Sequence, residues 1–174
     1  IMHVYEKAIQ SQIGEVYVAT CDEEIASEVK KNGGKFIMTD INHTTGTDRV
    51  FEASQKLDLK DTDFIMNVQG DEPMIDPKII DALVEKIEEP SAEFATVISK
   101  NLVAADILNP NVVKAFINEK KEIIEFKRNI FDSQIGGAYR HIGLYGYKRD
   151  ALMRFTKLET CLLYTSDAAD DSLR

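Results

Sequence analysis

The apolar residues alternate between two spacings along the chain, and this alternation restricts the fold more than any other feature. Met2, Val4, Tyr5, Ala8 and Ile9 recur as one face of a helix, and Gly14 follows as a stop. Val16 to Ala19 is a short run of β-formers, and Thr20 to Asp22 supplies N-cap chemistry for a helix through Ile25, Ala26 and Val29 that ends at Gly33 and Gly34. Phe36 to Met38 reads as the next strand, Asp40 to Gly46 as a polar loop, and Val50, Phe51 and Leu57 as another helix face. A stripe that repeats every turn and a run with no such repeat need different elements, so helices and strands must alternate.

Phe64 to Val68 is apolar apart from Asn67 and is expected to be a central parallel strand covered on both faces. Asp76 as N-cap and Pro77 at the first helical position then introduce the stripe Ile79, Ile80, Leu83, Val84 and Ile87. Phe94 to Ile98, Val112 to Ile117, Glu122 to Phe126 and Arg140 to Tyr147 read as strands, the middle two joined as a hairpin around Asn118 to Lys121. The expected fold class is α/β, a three-layer α/β/α sandwich of Rossmann-like kind with a mixed sheet, in one domain.

Composition narrows the function. The chain has 174 residues, 44% of them hydrophobic and 29% charged, which suits one packed domain. No apolar run approaches the roughly 18 residues of a membrane span and no leader opens the sequence, so a cytoplasmic protein without membrane association is expected. Cys21 and Cys161 have neither metal-ligand spacing nor the count of a disulfide framework. A formal charge of −9 argues against nucleic-acid binding, and a small anionic ligand would need a local cationic pocket or a metal ion. The chain starts at Ile1 without an initiator Met, and the run from Cys161 to Asp170 resembles a translated sequencing adapter. A fragment is therefore expected, with residues 1–160 as the domain and 161–174 as a non-native tail.

Ligands of open α/β sheets bind beyond the carboxyl ends of the strands. Three segments carry unusual chemistry. In Asn67 to Ile75, Asp71 and Glu72 follow the buried strand; Asp71 is the candidate ligand for a hard cation such as Mg2+, and Glu72 the structural acid. His43 to Arg49 is a hydroxyl-rich loop entering a helix, where anions bind readily. Arg49 in the first turn is electrostatically misplaced unless it meets a phosphate or a carboxylate. In Tyr139 to Tyr147, His141, Gly143, Tyr145 and Tyr147 share one strand face, which should hold a ligand, while Ile142 and Leu144 point the other way.

With these residues, and with Asn109-Pro110-Asn111 followed by Val113-Lys114, nearly all of residues 1 to 160 resembles the 3-deoxy-manno-octulosonate (Kdo) cytidylyltransferases, or CMP-Kdo synthetases, within the wider nucleotide-sugar cytidylyltransferases. The resemblance implies a nucleotide-diphospho-sugar transferase-like fold. It also implies a reaction in which the anomeric hydroxyl of Kdo attacks the α-phosphate of CTP, giving CMP-Kdo and pyrophosphate for lipopolysaccharide biosynthesis. Carried over by position, Asp71 would hold Mg2+, and Asp71 and Gln69 would be the catalytic pair. Gln69, His141 and Tyr145 would line the sugar site, Gly46 and Arg49 would belong to the nucleotide site, and Arg128 would meet the sugar carboxylate. A homodimer is implied for the full-length protein. A phosphate loop with an Arg and a Lys would precede Ile1 and a second metal-binding Asp would follow the chain, so the polypeptide as given is expected to be inactive. Competing expectations are a cytidylyltransferase for N-acylneuraminate or 8-amino-Kdo, and a non-catalytic α/β nucleotide-binding module.

Overall fold

The structure, a computed structural model, describes residues 1–11 and 14–158, and the expected non-native tail with Cys161 lies outside them. Helices and strands alternate as α1 (Met2–Gln10), β1 (Val18–Thr20), α2 (Glu23–Lys31), β2 (Phe36–Met38), α3 (Gly46–Gln55), β3 (Phe64–Val68), α4 (Pro77–Ile87), β4 (Phe94–Ser99), α5 (Ala104–Leu108), β5 (Lys114–Ile117), β6 (Ile123–Lys127), a 3-10 turn (Asp132–Gly137), β7 (Tyr139–Lys148) and α6 (Arg149–Phe155). The chain divides into two compact units, Ile1–Thr96 with Gly143–Leu158, and Val97–Ile142. Among the described residues no helix is long and apolar enough to cross a membrane.

In the first unit β1 and β2 pair in parallel, Val18 opposite Phe36 and Thr20 opposite Met38. α2 begins where Asp22 Oδ1 accepts from the amides of Glu24 at 2.8 Å and Ile25 at 3.1 Å, and Gly33 takes a positive φ of 73° just beyond its end. Tyr5, Val18 and Val29 form one buried cluster, joined by Met2, Val16 and Phe36. α4 starts as its sequence dictates, with Asp76 accepting from the Lys78 amide at 3.0 Å and Pro77 opening the first turn. Ile80, Leu83 and Ile87 are buried, which fits one apolar stripe on a helix.

The strand β3 corrects an expectation. It pairs antiparallel with the second half of β7, Ile65 opposite Tyr147 and Asn67 opposite Tyr145, where a parallel central strand was expected. Ile65 is buried and its neighbours are only half-buried. A continuous apolar run reports that both faces are covered; it carries no information on the direction of the neighbouring strand. Ile65, Tyr147 and Leu152 form a second cluster, with Val50 and Phe51 of α3, Leu59 and Tyr145 packed against it. α6, which the apolar spacing did not reveal, supplies Leu152 at 0% exposure.

In the second unit β5 and β6 form the expected hairpin, Lys114 opposite Lys127 and Ala115 opposite Phe126, with a bulge between Phe116 and Ile117. Asn118 Oδ1 accepts from the amides of Lys120 and Glu122, both at 2.9 Å, and Lys121 adopts a φ of 62° to close the turn. The first half of β7 adds to β5 antiparallel, Ala115 opposite Tyr139. The short helix α5 and the 3-10 turn were not visible as periodic patterns, being too short to show one.

Candidate active site

In the first unit the site grows from one face of the β3–β7 ladder. Residues directly opposite on paired strands share a face, so Ile65 and Tyr147 lie on the same side as Asn67 and Tyr145. Gln69 is two residues beyond Asn67 and keeps to that face: a Cβ added to Gly143 would lie 2.2 Å from its Oε1. This face is therefore apolar at Ile65 and Tyr147, under α3 and α6, and polar towards Gln69. Gln69 and Tyr145 are brought together on its polar part. Tyr147, expected on the ligand face, is instead a core residue, with its ring edge-on to Phe94 at 5.6 Å. Alternation gave the face correctly, but only packing shows which part of a face is covered. Tyr145 and Tyr147 stack at 6.1 Å, so the core ring supports the outer one.

Beyond β3 the chain turns through Gly70, the Glu72 amide donating to the Gln69 carbonyl at 3.3 Å. Asp71 is exposed on this turn, and the capping of α4 is left to Asp76. Among the described residues no group of three or more His, Cys, Asp or Glu side chains could hold a metal ion. Asp71 offers a single carboxylate, an oxygen donor of the kind that hard cations take. Mg2+ is commonly bound through one or two carboxylates and completes its shell with substrate phosphates and water.

The loop from Asp40 to Gly46 is fixed by the helix that follows it. Thr45 caps α3, accepting from the Asp48 amide at 3.1 Å and donating to Asp48 Oδ2 at 2.7 Å. Gly46 is exposed, with open space where a side chain would stand. Arg49 Nη1 donates to Thr39 Oγ1 at 2.6 Å and to the Asp40 carbonyl at 3.2 Å. Both acceptors are neutral oxygens, dipoles that point at the guanidinium.

One turn further along α3, Glu52 accepts from the Asp40 amide at 2.8 Å and from Lys56 Nζ at 2.6 Å and meets His43 Nε2. These partners, Lys56 first, then the Asp40 N–H, then His43, hold its carboxyl down at about 2. Glu52 is not among the site residues expected from sequence. Its signal was the spacing Arg49, Glu52, Lys56, which places three ionic side chains on one helix face. A shallow depression of about 460 Å³ opens here, lined by Asp40, His43, Asp48 and Glu52 among others. It contains none of Gln69, Asp71, Arg49 or Tyr145.

The second unit holds the remaining candidates. His141 is half-buried with its ring 4.8 Å from that of Phe126, and burial pushes its imidazole down to about 4. It is neutral at pH 7, with one donor and one acceptor nitrogen. Arg128 Nη1 donates to the Pro110 carbonyl at 2.6 Å, and its Nε is buried with no hydrogen-bond partner among the described residues.

A family model described as cytidylyltransferase matches residues 1–167. The 3-deoxy-manno-octulosonate cytidylyltransferase of Paramagnetospirillum magneticum is 40% identical over 164 residues, covering 91% of this chain and 67% of that protein. The chain spans about two thirds of the length of the curated relatives it matches. Among solved structures, a CMP:2-keto-3-deoxy-manno-octonic acid synthetase complexed with CTP superposes with a TM-score of 0.84 at 33% identity, over 97% of this chain and 70% of that one. The 4-diphosphocytidyl-2C-methyl-D-erythritol synthase of Anaerococcus prevotii shares the fold alone, with a TM-score of 0.60 at 14% identity over 95% of this chain and 70% of that one.

Proposed function

The chain belongs to the cytidylyltransferase family and has the nucleotide-diphospho-sugar transferase-like fold; from that premise we propose that it carries the CTP-dependent activation of 3-deoxy-manno-octulosonate, for lipopolysaccharide biosynthesis. The anomeric hydroxyl of the sugar acid attacks the α-phosphate of CTP, the bond to the β-phosphate breaks, and CMP-sugar and pyrophosphate leave. The observation that carries this reading is the match over 97% of the chain to a synthetase complexed with CTP.

Phosphoryl-group transfer depends on positioning and on charge stabilisation more than on covalent chemistry. Magnesium held at Asp71 would neutralise triphosphate charge that an acidic protein otherwise repels. The loop gripped by α3 offers the backbone of Thr44 to Gly46 to the nucleotide. Arg49 acts on that loop through Thr39 and Asp40, holding its shape. Gln69 and Tyr145 supply donors and acceptors for sugar hydroxyls, and a site of this kind rejects a sugar that leaves them unpaired. In the second unit the neutral His141 offers a further donor and acceptor, and Arg128 a cation for the sugar carboxylate. A reaction that consumes CTP belongs in the cytoplasm, and the family resemblance implies a homodimer for the full-length protein.

Calorimetric titration of CTP into this chain, with and without Mg2+, tests the reading. Binding should require the metal, and Asp71→Asn should weaken it by about tenfold or more. Equal binding without Mg2+, or no binding at all, would refute the proposal. Pyrophosphate release by the full-length protein with Kdo, N-acylneuraminate and 8-amino-Kdo in parallel identifies the sugar acid.

A further inference from the structure

Lys114 is the largest side chain fully removed from solvent among the described residues. A buried ammonium is rare unless it is paired, and here it serves the main chain. Its Nζ donates to the carbonyl of Asn109 at 2.8 Å and to that of Arg128 at 2.6 Å. Burial lowers its pKa and the nearby Asp106 carboxylate opposes that shift. Asp106 is itself held by the Val103 amide at 3.2 Å and Arg140 Nη1 at 3.4 Å.

These bonds join two segments at the residue that matters for the sugar acid. The loop Asn109 to Asn111 and the end of β6 meet at one ammonium, and Arg128 returns the contact by donating from Nη1 to Pro110. In that pose the Arg128 Nε–H is buried with no hydrogen-bond partner among the described residues. An unsatisfied buried donor disfavours the arrangement. Turning the guanidinium off Pro110 onto a carboxylate would give Nε–H and one Nη N–H an oxygen each, the fork geometry Arg favours. Such a turn is productive only if the main chain beneath it stays in place.

We propose that Lys114 is a positioning residue for Arg128: its ammonium ties the Arg128 carbonyl to that of Asn109 and so fixes the main chain from which the guanidinium reaches a ligand carboxylate. This inference rests on the proposed function, in which that carboxylate belongs to the sugar acid. Lys114 acts through Arg128 and touches no substrate.

The test titrates 3-deoxy-manno-octulosonate, and separately CTP with Mg2+, into the full chain and into Lys114→Met, Arg128→Met and the double variant, with melting temperatures alongside. Lys114→Met should weaken sugar-acid binding by about tenfold or more, since a misplacement near 1 Å is costly, and leave CTP binding within about twofold. The double variant should bind the sugar acid no worse than Arg128→Met, because the two residues act as one unit. Should Lys114→Met fail to fold, Lys114→Gln, which keeps two donors for the two carbonyls, should show a smaller loss in the same direction. Unchanged sugar-acid affinity, losses that add in the double variant, or a parallel fall in CTP binding would each overturn the inference. If the unsubstituted chain binds neither ligand, the proposed function fails and takes this inference with it; if it binds both and the Lys114 variants match it, only the inference fails.

Discussion

Replacing Gly143 by Ala probes the polar part of the β3–β7 face with a single carbon atom. The new Cβ would lie 2.2 Å from Oε1 and 2.6 Å from Cδ of Gln69, against ordinary contact beginning near 3.4 Å. The Gln69 amide must therefore retreat by about 1 Å. The backbone at Gly143 has no positive φ, so Ala fits it without strain, and the loss of unfolded-state freedom alone would stabilise the protein by about 0.4–1 kcal/mol. The obstacle is the far end of a half-buried, flexible side chain, so moving it costs less than overpacking a closed core, about 1 kcal/mol at most. The two contributions nearly cancel, so Gly143→Ala alone should move the melting temperature by less than about 2 °C. In a Gln69→Ala background the obstacle is gone and only the entropic gain remains, so the same substitution should then raise the melting temperature. Thermal unfolding of the four proteins followed by circular dichroism measures the cycle. If Gly143→Ala shifts the melting temperature by the same amount, with the same sign, in both backgrounds, Gln69 does not rest on Gly143 and the site's sugar-facing geometry is wrong.

His141 should give the fold a pH dependence of its own. Its folded pKa is about 4, below the unfolded value near 6.5, so the unfolded chain takes up the proton first as the pH falls. Stability is full above about pH 6.5 and declines towards pH 4, by on the order of 2–3 kcal/mol, and urea unfolding of His141→Phe should lack that slope. A slope unchanged in the variant would place the titrating group elsewhere. Glu52 has the opposite charge logic. With its folded pKa held at about 2, its grip on the Asp40 amide persists well below pH 4.5 and is lost only as the pH falls through 2. An NMR titration of the Asp40 amide should show a midpoint near 2, and Glu52→Ala should speed the exchange of that amide at neutral pH; a midpoint at the ordinary carboxylate value would refute the loop anchor.

The family resemblance was legible in the sequence because its segments are local: Thr45 to Arg49, Asn67 to Ile75 and His141 to Tyr147 each keep their chemistry within a few residues. The same locality made α2, α4 and the hairpin around Asn118 readable. Caps and turns are satisfied by atoms two to four positions away, as Asp22, Asp76 and Asn118 are. Strand direction, the use of Tyr147 in the core and the neutral oxygens that hold Arg49 could not be read, because each depends on a partner distant in sequence or hidden by packing. Lys114 shows the division most plainly. Its place in the Asn-Pro-Asn motif segment was visible from the start, but a lysine in a sequence looks like a solvated charge. Only the folded chain, by bringing the carbonyls of Asn109 and Arg128 to one point and closing water out, turned it into an internal tie. The sequence by itself determined which elements form and where they begin, since those choices are made by neighbours; the tertiary structure decided which side chains are covered and what they hold, since burial is a property of the whole chain.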